Sequence, residues 1–488
     1  MSSMADWKQA MSSGYWERWN DDVQAKIDQD IEHNRKAEGC FRTEAPKGAD
    51  VKVEQISSSF VFGAHIFNFD QLGSDERNAK YRALYGTLFN SATIAFYWKT
   101  LEPIEGQPRF APSFRDTAAF WNSCPNPKEQ PHWRRPAVEP VVDFCLSKGI
   151  RLHGHTLVWG SNTWQYPDWL IGSLPLDALN HAKLDRNPKN GQLLNNALGE
   201  CFGQMTADEF ADHFPDFASR LNTAVAHRII DIAMRYGNRI DSWDVVNESA
   251  SDYGNGRMVP GSRICKSWYG PMPGDYTYRA FKIAEGVFPS KAKLNINEYN
   301  MSDDYLHQVQ DLKARGCKID IMGAQMHLFD PKICLDIADG KTDRESPAMV
   351  YEKFTRLAKA KLPIHLSEIT ITAPNNDERG QAIQAVVAHN LYRLWFSLEP
   401  MMGITWWNVV DDCGAPGEPS VSGLFSREMV PKPAYFALEN LINHAWRTNL
   451  CIQTDAEGRI SFRGFRGNYK LTWLDAQNQE HSQFVTLV

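Results

Sequence analysis

Eight short apolar runs recur along this chain, and helical stretches separate most of them. They are "SFVFGAHI" from Ser59, "ATIAFYW" from Ala92, "RLHGHTLVW" from Arg151 and "DSWDVVNE" from Asp241, then "KLNINEYN" from Lys293, "DIMGAQMHL" from Asp320, "PIHLSEIT" from Pro363 and "GITWWNVV" from Gly403. A strand that is apolar on both faces has to be covered on both faces, which is the signature of a parallel sheet wrapped by its own helices. Stretches such as Arg220–Gly237 and Ala348–Lys361 supply those helices. Eight such units predict an α/β chain folded as a (β/α)8 TIM barrel with insertions. A doubly wound open sheet would bring a Gly-rich phosphate loop after its first strand, and none is written there.

Polar and aromatic residues gather at the C-terminal ends of these runs: Trp98 and Lys99, His155 and Trp159, Asn247 and Glu248, Asn297 to Asn300, Gln325 and His327, Glu368, Trp406 and Trp407. In a barrel those ends converge on one face, where active sites are built. Two connections exceed compact βα spacing, the stretch from Gly160 to Ile240 and the Pro-rich "CPNPKEQPHWRRP" after the second run; both are expected to narrow that face. The chain accordingly divides into three parts. Residues 1–57 hold a charged helix, read as a solvated face, and short β strands that pack on the barrel or on a β module. Residues 58–445 form the barrel, and 446–488 alternate as a small β module with turns at Glu457-Gly458 and Arg466-Gly467-Asn468.

Composition narrows the function classes. A net charge of −7 argues against nucleic acid as a partner, since phosphate binding rests on clustered Lys and Arg and the only basic knot is "HWRRP". No apolar run reaches the roughly 18 residues of a membrane span. The start has no apolar segment followed by a small-residue cleavage site, so no signal peptide is expected, and the compartment stays open. Nine scattered Cys without a CxxC pair fit neither a disulfide scaffold nor a zinc ribbon. Sixteen Trp suit a ligand with flat apolar faces, such as a sugar ring, as well as a large core.

The chemistry centres on two carboxylates, Glu248 and Glu368, at the ends of the fourth and seventh strands. Those strands lie across the barrel mouth from each other, and a carboxyl pair roughly 5–5.5 Å apart suits retaining glycoside hydrolysis. One carboxyl attacks the anomeric carbon and must be ionised; the other protonates the leaving oxygen and needs a raised pKa. Asn247 is placed to bond the sugar 2-hydroxyl, and Gln325 and His327 to hold Glu368 charged and oriented. His153-x-His155 permits a metal site, which calls for a third ligand. Glu298 is a further strand-end acid, expected to support the pair rather than to react.

Taken together, "GHTLVW", "WDVVNE", "GAQMHL", "LSEITI" and "GLFSREMVPKPAYFAL" resemble the motifs of glycoside hydrolase family 10, the endo-β-1,4-xylanase family, in order and spacing from Val61 to Leu441. The resemblance implies a retaining β-glycosidase with Glu368 as nucleophile and Glu248 as acid/base. It implies a subsite lined by Lys99, His155, Asn247, Gln325 and His327, walled by Trp159 and Trp407, with Tyr299 close by. No cofactor or metal is implied, and the partner is a carbohydrate, a plant polysaccharide, oligosaccharide or glycoside; the oligomeric state is open. The chain also departs from that pattern. The family writes Glu-Asn ahead of its second-strand Lys, where this chain has "IAFYWKT"; Gly160-Ser161-Asn162 replaces His-Ser-Gln. Thr370 stands where the family has an acid, and the loop "DDCGAPGEPS" lacks a Trp. The alternatives are therefore an exo-acting or non-xylan β-glycosidase on short or decorated glycosides, or a non-catalytic carbohydrate-binding barrel.

Overall fold

The computed structural model describes residues 7–160, 165–174, 205–250, 272 and 275–488. Fifteen strands occur among them. The first two are β1 (Lys36–Arg42) and β2 (Asp50–Ser58). The barrel comes next: β3 (Val61–His65), β4 (Ser91–Ala95), β5 (Arg151–His155) with its short continuation β6 (Val158–Trp159), β7 (Ser242–Asn247), β8 (Lys293–Glu298), β9 (Ile321–Leu328), β10 (Ile364–Ile371) and β11 (Met401–Trp406). The last four are β12 (Asn449–Gln453), β13 (Arg459–Phe465), β14 (Gly467–Leu474) and β15 (Glu480–Leu487).

From β3 to β11 every neighbouring pair is parallel, and β11 pairs back onto β3, so the sheet closes. Each of the eight apolar runs of the sequence supplies one stave. All residues of β3, β4 and β10 are buried, as strands covered on both faces require. The covering helices start where their caps dictate. Pro347–Ala358 opens with Ser346 accepting the Met349 N–H and with Pro at the first helical position, where the missing N–H costs nothing.

The amino-terminal region differs from the single solvated helix expected. Helices Ser13–Arg18 and Asp21–Arg35 are separated at Trp19-Asn20, and Asn20 caps the second by accepting the Val23 N–H. Tyr15, Trp19, Ile27 and Ile31 join the barrel core, and Arg35 donates to the Phe396 and Leu398 carbonyls at the end of helix Glu378–Ser397. That barrel helix is thereby buried almost throughout.

Beyond the barrel, β2 lies between β12 and β14 in a four-stranded antiparallel sheet edged by β15, while β1 pairs with β13. Val51 and Val53 of β2 pack with Ile460, Phe462, Tyr469, Leu471 and Trp473 in a separate small core. Among the described residues no helix is long and apolar enough to cross a membrane. The excursion around residues 188–204, and Ser161 and Asn162, lie outside the described residues.

Candidate active site

β7 ends at Asn247, and Glu248 comes directly after it with φ of 55°, a left-handed backbone uncommon for a residue with a side chain. Its N–H is anchored on the Asn297 carbonyl at 2.7 Å. Glu368 sits inside β10. Both strands lose regular register just before the carboxylate, β7 against β8 between Asp244 and Val246, and β10 against β9 between Leu366 and Glu368. Such irregularities re-aim a side chain without ending the strand. Here they precede two carboxylates that line one cavity of about 420 Å³ at the mouth of the barrel.

Glu368 is buried and held from three sides. Asn297 Nδ2 donates to its Oε1 at 2.8 Å, His155 Nε2 stands 3.7 Å from the same oxygen, and His327 Nε2 stands 3.4 Å from Oε2. Asn297 is itself fixed: it also donates to Asn247 Oδ1 at 2.9 Å and accepts from the Ser367 hydroxyl at 2.5 Å. It fits because residue 323 of the neighbouring strand is glycine; a Cβ there would lie 2.4 Å from Asn297 Oδ1. His155 is oriented by Asp244, whose Oδ2 lies 2.9 Å from His155 Nδ1 and 2.9 Å from His153 Nε2. Burial alone would raise Asp244, but the two imidazoles overcome it and hold the carboxyl below the usual range. The His153-x-His155 pair therefore converges on one carboxylate, and among the described residues no group of three or more His, Cys, Asp or Glu is arranged to hold a metal.

Glu248 accepts the Gln325 amide at 3.0 Å and the Trp159 indole N–H. Burial raises it to about 7, and the charge on Glu368 adds to the rise. Burial raises Glu368 too, opposed by His155 and by the Asn297 amide. Only Glu248 is raised further by its neighbour's charge, so the first proton leaves Glu368 and the second stays on Glu248. When the pair holds a single proton, that proton is on Glu248 and the charge is on Glu368.

His155, Trp159, Asn247, Tyr299, Gln325, His327 and Trp407 line the cavity beside the two carboxylates, while Trp406 is buried in the barrel core. Two expectations need correction. Gln325 bonds Glu248, not Glu368, because the register shift in β10 turns Glu368 toward Asn297. Lys99 does not line the cavity. A short helix, Trp98–Leu101, begins right after Tyr97 and turns Lys99 outward to Asp168 at 3.0 Å, so Tyr97 takes the inward position. Glu298 is buried beside the site and accepts the backbone N–H groups of Ala250, Tyr299 and Asn300, which ties two loops together.

Sequence reasoning missed the anchors Asn297 and Asp244, and it missed Arg134, Arg135 and Glu418. The basic knot "HWRRP" is not a surface patch: Arg134 is 1% exposed and Arg135 6%. Arg134 donates to Asn408 at 2.8 Å and lies 3.5 Å from Glu418. Glu418, from the loop after β11, accepts the Trp407 indole N–H at 2.9 Å.

The sequence model of Glycosyl hydrolase family 10 matches residues 120–441. The chain belongs to that family. Family 10 relatives include endo-1,4-beta-xylanase C of Paenibacillus barcinonensis, 24% identical over 458 residues that make up 86% of this chain and 34% of that protein. The first curated relatives are longer: this chain spans about a third or less of their length. Among solved structures, xylanase 10B from Thermotoga maritima aligns with a TM-score of 0.53 at 21% identity, covering 79% of this chain and 96% of that one. Xylanase 10B from Thermotoga petrophila, solved in complex with xylobiose, aligns with a TM-score of 0.53 at 20% identity over 79% and 95%. These likenesses establish the family 10 barrel as the fold. The matched region begins beyond β3 and β4, the first two staves of this family 10 barrel.

Proposed function

We propose that this chain is a retaining β-glycoside hydrolase of the xylanase type, with Glu368 as nucleophile and Glu248 as acid/base. The observation that carries the reading is the asymmetry of the pair: burial raises both carboxyls, but Glu368 is held by Asn297, His155 and His327, while Glu248 is raised further by its neighbour's charge. In the first step a Glu368 oxygen bonds to the anomeric carbon as Glu248 gives its proton to the departing glycosidic oxygen. In the second, Glu248 takes a proton from water, whose oxygen displaces Glu368 and frees the sugar with retained configuration. Trp407 and Trp159 give the ring apolar faces, and Asn247, oriented by Asn297 and Gln325, stands beside the 2-hydroxyl. A β-linked xylosyl unit is the substrate that the relatives' names and the xylobiose complex favour.

The test is covalent trapping. A 2-deoxy-2-fluoro-β-xylosyl fluoride should inactivate the protein and leave one sugar on the peptide that carries Glu368. Sugar binding without an adduct, together with no hydrolysis of any aryl β-glycoside, would leave a carbohydrate-binding barrel in its place.

A further inference from the structure

The same cavity has one closed end, and that end bears on what the site can accept. With Glu368 facing the anomeric carbon and Glu248 facing the leaving group, the reacting sugar lies on the Glu368 side. Its non-reducing end points away from Glu248. There the cavity meets Tyr97 and Trp407, and Phe67 packs behind them, with ring centroids 5.9 Å apart for Phe67–Tyr97 and 5.6 Å for Phe67–Trp407. Each ring is at least nine-tenths buried.

Two guanidinium groups seal the cluster. Arg135 lies 3.7 Å over the Tyr97 ring and Arg134 5.4 Å over Trp407. Their backbone is pinned as well, since the Arg134 N–H donates to Gln71 Oε1 at 2.7 Å. The preceding residues, His132 and Trp133, face a different cavity of about 600 Å³, together with Lys99 and Asp168. The segment 132–135 is therefore a partition with one cavity on each side. On the other side of Glu248 the lining opens to partly exposed residues, Tyr299 at 43% and Phe329 at 36%.

We infer that the wall formed by Tyr97, Trp407 and Glu418 with Arg135 of this partition limits the glycone side to one sugar, so that the protein releases single terminal residues from the non-reducing ends of β-glycosides. This rests on the retaining mechanism proposed above. A close-packed wall cannot yield to a second pyranose without displacing buried side chains, so a sugar added at O4 of the reacting unit meets a clash rather than a subsite. Arg135 then serves as a specificity-determining residue through its bulk: its guanidinium, stacked on Tyr97 and donating to the Arg134 carbonyl at 2.9 Å, fills the space a second sugar needs.

The experiment compares 4-nitrophenyl β-xyloside with 4-nitrophenyl β-xylobioside, and an isofagomine-type xylose mimic with the same mimic extended by xylose at O4. We expect the O4 extension to lower kcat/KM at least 100-fold for release of the nitrophenol, and to weaken mimic binding by a similar factor. Equal or better handling of the extended member of either pair overturns the inference. Glu368 trapping in that event would still support the mechanism, so the two failures are distinguishable. Mimic binding needs no turnover and decides the question for an inactive protein as well. In Arg135→Gly the penalty for extension should shrink at least tenfold; a ratio is insensitive to general loss of activity. If that variant does not fold, Tyr97→Ala gives the same readout, and an unchanged ratio in either folded variant overturns the role of the wall.

Discussion

The two ends of the cavity are built from different parts of the fold. The end with the carboxylates comes from β7 to β10, whose inward side chains form one hydrogen-bonded set around Asn297. The closed end comes from residues just past the ends of β3, β4 and β11 and from the segment 132–135, and its cohesion is aromatic and cationic. Strand ends hold charges at fixed spacing, which proton transfer and nucleophilic attack require. Loops supply bulk, which selects among substrates. The family match covers β7 to β11 and the segment 132–135, but not β3 and β4. The two ends thus rest on different elements, joined by the charge of Glu418, which reaches Glu368 and His327.

That division can be broken by substitutions that affect the wrong property. At the carboxylate end Glu368→Ala should abolish turnover, by about 10⁴-fold or more, with the fold intact by circular dichroism. Glu248→Gln should cost about 10²–10⁴-fold, least for aryl leaving groups that need little protonation. It should also remove the alkaline limb of the pH–rate profile. Glu248 acts as an acid only while protonated, so activity should decline as the pH rises through about 7. A profile flat to pH 9 in the parent protein would reassign the acid. Asn297→Ala leaves a buried carboxylate oxygen without its donor, at about 1–3 kcal/mol in the barrier, or roughly 10–100-fold in kcat.

At the closed end Glu418→Gln should instead act on stability. Burial would raise Glu418, yet Arg134 and the Asn408, Trp407 and Ala415 N–H donors hold it below its ordinary value. Its contribution is therefore present above the unfolded carboxyl pKa of about 4.3 and lost as the pH falls through the lower folded value. Breaking its pairing with buried Arg134 should cost about 3 kcal/mol in urea unfolding at pH 7, and less in acid. If kcat for the simple xyloside falls more than stability does, the two ends are not independent.

The smallest effect belongs to Thr370. His327 Nδ1 lies 2.9 Å from its hydroxyl, and burial pushes the imidazole down to about 4, so it is neutral beside Glu368 at working pH. Thr370→Asp would raise His327 and, through its charge, lower both carboxyls. Both limbs of the pH–rate profile should move to lower pH by up to about one unit. An unmoved profile would show that His327 does not tune the pair.

The barrel was legible because short, largely apolar runs recur eight times with helical stretches between most of them, a pattern that few other arrangements bury. Glu248 and Glu368 were legible for a related reason: a carboxylate within or directly after such a run needs a purpose. Lys99 misled because spacing along a strand is read as if the strand continued, and here a helix starts at Trp98 and reverses which neighbour points inward. Asn297 stood in plain view at a strand end, but its role depends on a glycine one strand away and on a register shift. Arg134, Arg135 and Glu418 come from loops, where no periodicity says which side chains turn inward. A basic knot and a lone acid become a buried pair only once those loops are brought together.

The placement of β2 between β12 and β14 has a consequence for synthesis. Ser58, made early, finds its partner Gly467 only after the whole barrel has been translated. Until then β2 is a strand with two unpaired edges, the kind of surface that invites intermolecular pairing. Strands made after the barrel fasten one made before it, so the small sheet works as a clasp that closes on a finished barrel. Shortening the chain past β12 should therefore harm recovery of soluble protein more than it harms the chemistry of the molecules that do fold.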